Sequence, residues 1–508
     1  MTITTMKLSQ LTQGNPYIPP EWDREIKHIR IDSRDVAEGD VFIARSGSQQ
    51  DGRAHILDAV KNGAVAVLAD GEIAFECVGY ELVDSGVPVF SAPGLAQQIV
   101  ALSEQRYPQS AQMPLIAVTG TNGKSSVTQY IAQLTTTLNK AAGLLGTLGN
   151  GVWPNLEATR NTTPDITVVK RSLYAMAEQK ADLAALEVSS HGLEQGRVTG
   201  LAFHTAIMTN LTQDHLDYHG DMDSYFAAKA KLFRDYPLQY ALINSDDEYG
   251  QRLLNESENS AEKIYSYGRR ADSDIYYSQP NYESGWLTSE LTTPWGQGTV
   301  KLPLIGDFNM ANAVAAITAL CLQDFDFSEL LAAAATLNAV DGRMALYRRV
   351  VNAVNNDTPS AVTQLAVVDF AHTPDALTNV MQALKGVATQ QALVFGCGGD
   401  RDRSKRSLMA DVAVSSEAEV WLTDDNPRTE DPQQIFADVL TAKNSEQFHQ
   451  QHDRTLAITE AVNSTAELVV IAGKGHENYQ EVAGIKHPYS DEAVLLKLGF
   501  EKAGGQYA

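Results

Sequence analysis

Short apolar runs alternating with longer segments of helical period dominate this chain. Leu115–Val118 is a compact apolar run that enters a glycine-rich turn, followed by a helical pattern to about Leu138. Leu183–Val188, Thr205–Met208 and Tyr240–Ile243 repeat the strand signal, with helix-like stretches such as Asp223–Phe233 between them. Asn312–Cys321 reads as a buried Ala-rich helix. Further on, Leu365–Phe370, Ala392–Phe395, Val420–Thr423 and Leu468–Ala472 are strand candidates, with helices at Pro374–Leu384 and Pro432–Leu440. Such alternation predicts an α/β protein with parallel sheets and crossover helices. Before residue 110 the pattern is smaller and mixed: strand-like Asp40–Ala44 and Ala64–Leu68 flank helical His55–Lys61.

Three domains follow, with boundaries at 1–109, 110–343 and 344–508. The polar segment Ser103–Gln112 reads as the linker into the second, and Asn352–Thr363 reads as a loop or insertion in the third. A length of 508 residues agrees with about three domains. Lys and Arg number 39 against 63 Asp and Glu, a net charge of −24, which disfavours nucleic acid and anionic membranes as partners. Three widely spaced cysteines (Cys77, Cys321, Cys397) match neither a disulfide framework nor a zinc site and suit a reducing interior. With neither a leader pattern nor a run approaching 18 apolar residues, the sequence predicts a cytoplasmic protein without membrane insertion.

Chemistry concentrates where strands are predicted to end, as it does in open α/β sheets. Gly120-Thr121-Asn122-Gly123-Lys124-Ser125-Ser126 can wrap phosphate with backbone N–H groups, offer the Lys124 charge and present the Ser125 hydroxyl to Mg²⁺. A full P-loop would have glycine at position 118, where Val118 stands, so this is a shortened relative. Glu187, at another strand end, is a carboxylate suited to the same Mg²⁺. His215 and His219 are four apart, but Leu216 occupies the position where a zinc protease has Glu, so a polar loop near phosphate is the better reading. Arg401, Arg403, Lys405 and Arg406 follow the Gly396–Gly399 turn without flanking aromatics for base stacking. In Asp425-Asn426-Pro427-Arg428 the proline stiffens a turn and the arginine presents a planar fork suited to carboxylate. On position alone, Lys229 is one of several lysines of a helix.

Taken in order, Gly120–Ser126, Asn161-Thr162-Thr163, Glu187–Leu193, Thr209–His219, Asp369–Pro374 and Gly473–Glu477 resemble the motifs of the Mur ligase family over nearly the whole chain. Asp425–Arg428 is similar to the signature of the branch that adds meso-diaminopimelate. The resemblance implies a UDP-sugar-binding domain, a central ATPase domain and a Rossmann-like domain that brings the amino acid. It implies ATP-dependent addition of meso-diaminopimelate to UDP-MurNAc-L-Ala-D-Glu in peptidoglycan synthesis, by a monomer using ATP and Mg²⁺. Asn309, Arg343, Asp369 and His372 would complete the ATP site. Ile31, Ser33, Ser48, Gln49, Gln50, Asn161–Thr163, Ser189, Gln195 and Arg197 would bind the UDP-sugar dipeptide. Arg401, Asp425–Arg428, Gly473 and Glu477 would bind diaminopimelate. Lys229 falls at the lysine that the family carbamylates as a Mg²⁺ ligand beside Ser125 and Glu187, and His215 would assist near the phosphates. Phe370 replaces a frequent Tyr, and Met344 a frequent Glu. Rival readings are another Mur ligase, a folylpolyglutamate synthetase or a P-loop switch.

Overall fold

The structure is a computed structural model that describes residues 4–46, 51–71, 77–78, 81–82, 85–91, 94–108, 113–256, 258–355, 358–440 and 445–503. It divides into two compact units, Met1–Ile116 with Ala141–His204, and Ala117–Lys140 with Thr205–Ala508.

In the first unit, the strands Ile29–Arg30, Val41–Ala44, Ala66–Ala69 and Val89–Ser91 form a parallel sheet in that order. Phe42 and Val67 are buried on it with Ile56 and Ala59 of the helix Ile56–Lys61. A helix occupies Leu95–Arg106, so the expected linker begins as the last turn of a helix. Three further strands follow in the order Gly149–Val152, Ala142–Gly146, Leu183–Glu187, the first pair antiparallel and the second parallel. Asp165 starts the helix Ile166–Glu178 by accepting hydrogen bonds from the N–H groups of Thr167 and Val168, the arrangement that an N-cap carboxylate favours.

The second unit opens at the end of the strand Leu115–Thr119, where the chain turns through Gly120–Gly123 into the helix Lys124–Thr137. Phe203–Met208, Leu238–Asn244, Ala261–Gly268 and Ile275–Tyr277 continue its first sheet. Trp286–Thr293 then pairs antiparallel with Ile275–Tyr277, Asn281–Glu283 and Gly296–Leu302, a departure from the all-parallel expectation. The buried residues of Trp286–Thr293 alternate along the strand, the period-two signature of a half-buried antiparallel strand.

The second sheet of this unit has seven strands, ordered Phe448–Gln450, Glu419–Leu422, Gln391–Phe395, Leu468–Ala472, Thr358–Asp369, Ala345–Asn355 and Glu501–Lys502. The first five run parallel; Ala345–Asn355 is antiparallel to Thr358–Asp369, and Glu501–Lys502 is antiparallel to Ala345–Asn355. Helices on both faces close two cores, one around Leu393, Val470 and Met409 and the other around Val394, Ile471 and Ile458. The expected loop at 352–363 is corrected: Asn352 pairs with Ala361 and Asn355 with Thr358, so the ladder of Ala345–Asn355 and Thr358–Asp369 runs nearly to the tip of a long hairpin. Among the described residues no helix is long and apolar enough to cross a membrane.

Candidate active site

The loaded segments do stand at strand ends: Thr119, Glu187, Asp369, Phe395, Leu422 and Ala472 close their strands immediately or almost immediately before them. At Gly120 (φ +147°) a Cβ would lie 1.9 Å from Thr209 Oγ1, and at Gly123 (φ +88°) 2.6 Å from Asn312 Oδ1, so no side chain fits at either corner of the loop. Thr121 Oγ1 donates to the Thr212 carbonyl (3.1 Å), and the Asn122 N–H donates to Asn210 Oδ1 (2.9 Å). Ser125 and Ser126 are buried in the first helical turn. Lys124 Nζ folds back to donate to the carbonyls of Gly120 (2.8 Å) and Thr121 (2.9 Å).

Lys229 lies on the inner face of the helix Met222–Arg234 and is 2% exposed. Its Nζ donates to the same Gly120 carbonyl (2.8 Å) and sits 4.6 Å from the centre of the Tyr225 ring. Burial first, and the Lys124 charge second, hold its pKa well below the ordinary lysine value, outweighing the opposite pull of Asp214. The buried amine is therefore biased toward its neutral, nucleophilic form.

Asp214 anchors a cluster that the sequence did not single out. Lys405 Nζ lies 3.2 Å from one carboxylate oxygen, while His215 Nε2 (3.4 Å) and His372 Nε2 (3.6 Å) approach the other. Burial would push this carboxyl up, but the hydrogen bond from His372 and the charges of Lys405 and His215 hold it well below the usual carboxylate range. Gln213 donates to Asp402 and Ser404, and Asn122 donates to Asp375 (3.1 Å), so phosphate-loop residues and third-block residues meet at one edge. Lys405 was visible only as one of four clustered cations; Asp375 carried no signal beyond standing at a helix start.

Asp369 accepts from the N–H groups of Met344 and Ala371, both at 2.7 Å, and burial raises its pKa despite Arg343. The Arg343 guanidinium stacks 4.1 Å from the centre of the Phe370 ring, whose other neighbours are His372 and His476. Phe370 thus serves as an aromatic platform without a hydroxyl. Asn309 is placed deeper than the expectation of a ligand contact suggests: its Oδ1 accepts from Tyr130 (2.8 Å) and its Nδ2 donates to the Ile305 carbonyl (2.8 Å).

In the first unit, Glu187 accepts from Thr147 N (2.9 Å) and Thr147 Oγ1 (3.2 Å), and a Cβ on Gly146 would collide with it. Thr147 Oγ1 also lies 3.0 Å from the Thr162 hydroxyl. Thr163 Oγ1 donates to the Glu187 carbonyl (2.9 Å) and lies 3.0 Å from Ser189 Oγ, which caps the helix Ser190–Glu194. Arg197 donates to the Thr163 carbonyl (2.8 Å) and to Gln195 Oε1 (2.6 Å). Five of the expected dipeptide-side residues (Thr162, Thr163, Ser189, Gln195 and Arg197) therefore form one network with Glu187, with Asn161 exposed beside them. Ile31 and Ser33 flank Asp32, which lies 3.7 Å from Arg160; Ser48, Gln49 and Gln50 lie outside the described residues.

Arg428 takes a left-handed backbone (φ 52°) and donates from Nη1 to the Gly399 carbonyl (2.6 Å). A Cβ at Gly399 would lie 1.9 Å from the Pro427 carbonyl, so the turns at 396–399 and 425–428 are mutually fitted. Gly473 (φ +114°) packs beside Asp425 Oδ2, and Asn426 Nδ2 donates to Glu477 Oε2 (2.8 Å). Arg401 lines a cleft of about 570 Å³ with Asp400, Arg403, Ser404, Leu216 and Asp217. His215, Met344, Asp400 and Arg428 all have positive φ, backbone strain of the kind that clusters at functional sites.

Models of the Mur ligase family match three stretches of this chain: Mur ligase family, catalytic domain, at 25–107; Mur ligase middle domain at 118–320; and Mur ligase, glutamate ligase domain, at 332–475. The chain is 41% identical to the UDP-N-acetylmuramoyl-L-alanyl-D-glutamate--2,6-diaminopimelate ligase of Pseudomonas aeruginosa, covering 96% of both chains. It is also 41% identical to the enzyme of that name from Neisseria meningitidis serogroup A, over 92% of this chain and 93% of the relative. A solved structure of a ligase with the same name aligns over 97% of this chain and 98% of its own, at 36% identity and a TM-score of 0.61. MurF from Acinetobacter baumannii shares the fold at 16% identity (TM-score 0.68, 98% and 99% coverage). Matches of this extent, on an α/β chain with the three-domain architecture, place it in the Mur ligase family.

Proposed function

We propose that this chain is an ATP-dependent ligase that joins meso-diaminopimelate to the D-Glu carboxylate of UDP-MurNAc-L-Ala-D-Glu during peptidoglycan precursor synthesis. The observation that carries this reading is the Arg428 fork, held by the Gly399 carbonyl and standing on the turn that also carries Asn426, itself bonded to Glu477, on a chain 41% identical to diaminopimelate ligases over its length. A guanidinium suits the extra carboxylate that distinguishes diaminopimelate from lysine, and a carboxylate suits its ammonium.

A carboxylate is a poor electrophile and an ammonium is not a nucleophile. Phosphoryl transfer from ATP to the D-Glu carboxylate gives ADP and an acyl phosphate. Attack by the neutral amine then forms the amide, with phosphate leaving and one proton lost from nitrogen. Bringing triphosphate to carboxylate sets like charges against each other, about 4 kcal/mol for one pair ~4 Å apart at an effective dielectric near 20. Lys124 in the phosphate loop and Arg197 in the dipeptide network supply opposing charge. The loop N–H groups of Gly120–Ser126 take the phosphates; Asn309, Arg343, Asp369 and His372 border the nucleotide, with Asn309 acting from its buried position. Ile31, Ser33, Ser48–Gln50, Asn161–Thr163, Ser189 and Gln195 receive the UDP-sugar dipeptide. Arg401, Asp425–Arg428, Gly473 and Glu477 receive the amino acid, and His215 assists beside the phosphates.

The donors present fit Mg²⁺ once Lys229 is carboxylated. A neutral amine takes up CO₂ with loss of a proton to give a carbamate, and the depressed pKa of Lys229 supplies that amine. Ser125 and the Lys229 carbamate would then offer oxygen ligands in the second unit. Mg²⁺ held by such oxygens neutralises phosphate charge. Domain boundaries at 1–109, 110–343 and 344–508, a cytoplasmic location and action as a monomer complete the reading. Product mass spectrometry with ATP, UDP-MurNAc-L-Ala-D-Glu and either meso-diaminopimelate or L-lysine tests it. A tripeptide product with the first and little with the second is expected; selective use of lysine, or no ligated product, refutes it.

A further inference from the structure

Lys474 is a fully buried cation of the Gly473–Glu477 turn to which the mechanism above gives no role. Its Nζ donates to Asn426 Oδ1 and to Glu477 Oε2, each at 3.0 Å. The rings of Tyr479 and Tyr489 lie 5.6 and 5.9 Å from the same nitrogen. Asn426 Oδ1 also accepts from the Glu481 N–H (2.9 Å). Two donors on one oxygen fix which way the amide faces, so Asn426 Nδ2 points to Glu477, where it donates to Oε2 (2.8 Å). Glu477 Oε2 is thereby taken twice, and the side chain keeps 18% of its surface exposed.

We propose that Lys474 is a positioning and specificity-determining residue of the amino-acid site. It locks the Asn426 amide and aims Glu477, and its charge cancels that of the Glu477 carboxylate. The trio Lys474–Asn426–Glu477 is then neutral, as is the neighbouring pair of Arg428 with Glu481 at 3.8 Å. A neutral trio beside an arginine favours an amino acid whose far end carries both an ammonium and a carboxylate. Without the lysine charge, Glu477 makes the pocket anionic and the bare ammonium of L-lysine gains. The inference rests on the diaminopimelate reading of this site.

Steady-state kinetics of the full-length enzyme with Lys474→Met test it. We expect the KM for meso-diaminopimelate to rise at least tenfold, with the KM for ATP and kcat at saturating amino acid within about threefold of native. The preference for meso-diaminopimelate over L-lysine should narrow at least tenfold, a change that a merely structural role would not produce. An unchanged KM for meso-diaminopimelate, or a parallel loss in kcat and in every KM, overturns the proposal. Should Lys474→Met fail to fold, Lys474→Met/Glu477→Gln is compared with Glu477→Gln alone. An added loss in kcat/KM for meso-diaminopimelate below threefold supports action through Glu477, and a loss of tenfold or more for all substrates overturns it. The native enzyme keeps the two readings apart: if it forms no tripeptide from meso-diaminopimelate, the function fails, whereas native turnover with an indifferent Lys474→Met sinks this inference alone.

Discussion

Among the buried lysines of the second unit, Lys229 and Lys474 are treated oppositely by their surroundings. Lys229 donates to a carbonyl that also accepts from a second cation, Lys124; burial and that neighbour drive it toward the neutral amine. Lys474 is equally enclosed but bridges to a carboxylate and an amide oxygen. One enclosure favours a neutral amine, with burial acting first and the Lys124 charge second; the other sets its lysine against an opposite charge.

The largest effects should come from breaking the first arrangement. Lys124→Ala should lower ADP release with all substrates present by about 10²–10³-fold, the scale of losing one preorganised charge at a transition state. Near-native turnover would remove the phosphate-loop assignment. For Lys229, the intact mass of the native enzyme should increase by one CO₂ in bicarbonate and revert on acidification. The sign follows from the lowered pKa: as pH falls through it, the amine becomes an ammonium that cannot hold CO₂. Lys124→Ala should weaken that uptake at a given pH, because the neighbouring charge that suppresses protonation is gone.

The opposite arrangement is tested at another buried cation. Arg454 and Asp491 are both fully buried and joined at 2.8 Å through two hydrogen bonds. Asp491→Asn should cost about 3–5 kcal/mol in chemical denaturation, since it leaves a buried guanidinium uncompensated; a loss below 1 kcal/mol would show that Asp491 does not compensate it. Arg428→Ala should raise the KM for meso-diaminopimelate by the equivalent of about 2–4 kcal/mol and leave ATP affinity unchanged. An unchanged KM would dissociate the fork from the amino-acid carboxylate.

His476 repeats the Lys229 situation on a milder scale. Burial, and then Arg343, lower its pKa to about 4. Its neutral form therefore contributes stability that is present above the unfolded value near 6.5 and lost as pH falls toward 4. Native stability should drop by about 1–2 kcal/mol more than that of His476→Gln between pH 7 and pH 5. Equal drops would show that the ring is not suppressed.

Strand ends and glycine turns were legible because strands and their punctuation are local signals. The helix Pro374–Leu384 falls where its proline and apolar spacing put it. Nonlocal pairing was not legible. The polar run after Val351 looked like a loop, yet the two arms of a hairpin need only each other to satisfy their backbone groups. Trp286–Thr293 alternates too weakly in composition for its antiparallel partners to be anticipated. At the site, Lys124 was readable from its motif, and Lys229 only through resemblance, because helical position does not reveal that its face is turned inward. Lys474 stood in a quoted motif without a role, since its partner Asn426 is 48 residues away.

The stretch between the phosphate-loop helix and the last sheet is pinned at both ends. Asn338 exchanges hydrogen bonds with Gln133 of that helix, its N–H donating at 2.8 Å and its carbonyl accepting at 3.2 Å. Three residues further on, Asp341 pairs with Lys502, Gly342 has no room for a Cβ against the His476 N–H, and Met344 N–H is held by Asp369. Only Ala339 and Val340 lie between these moorings. The two-residue span 339–340 therefore has little backbone freedom of its own, and a proline at Ala339 would remove most of what is left.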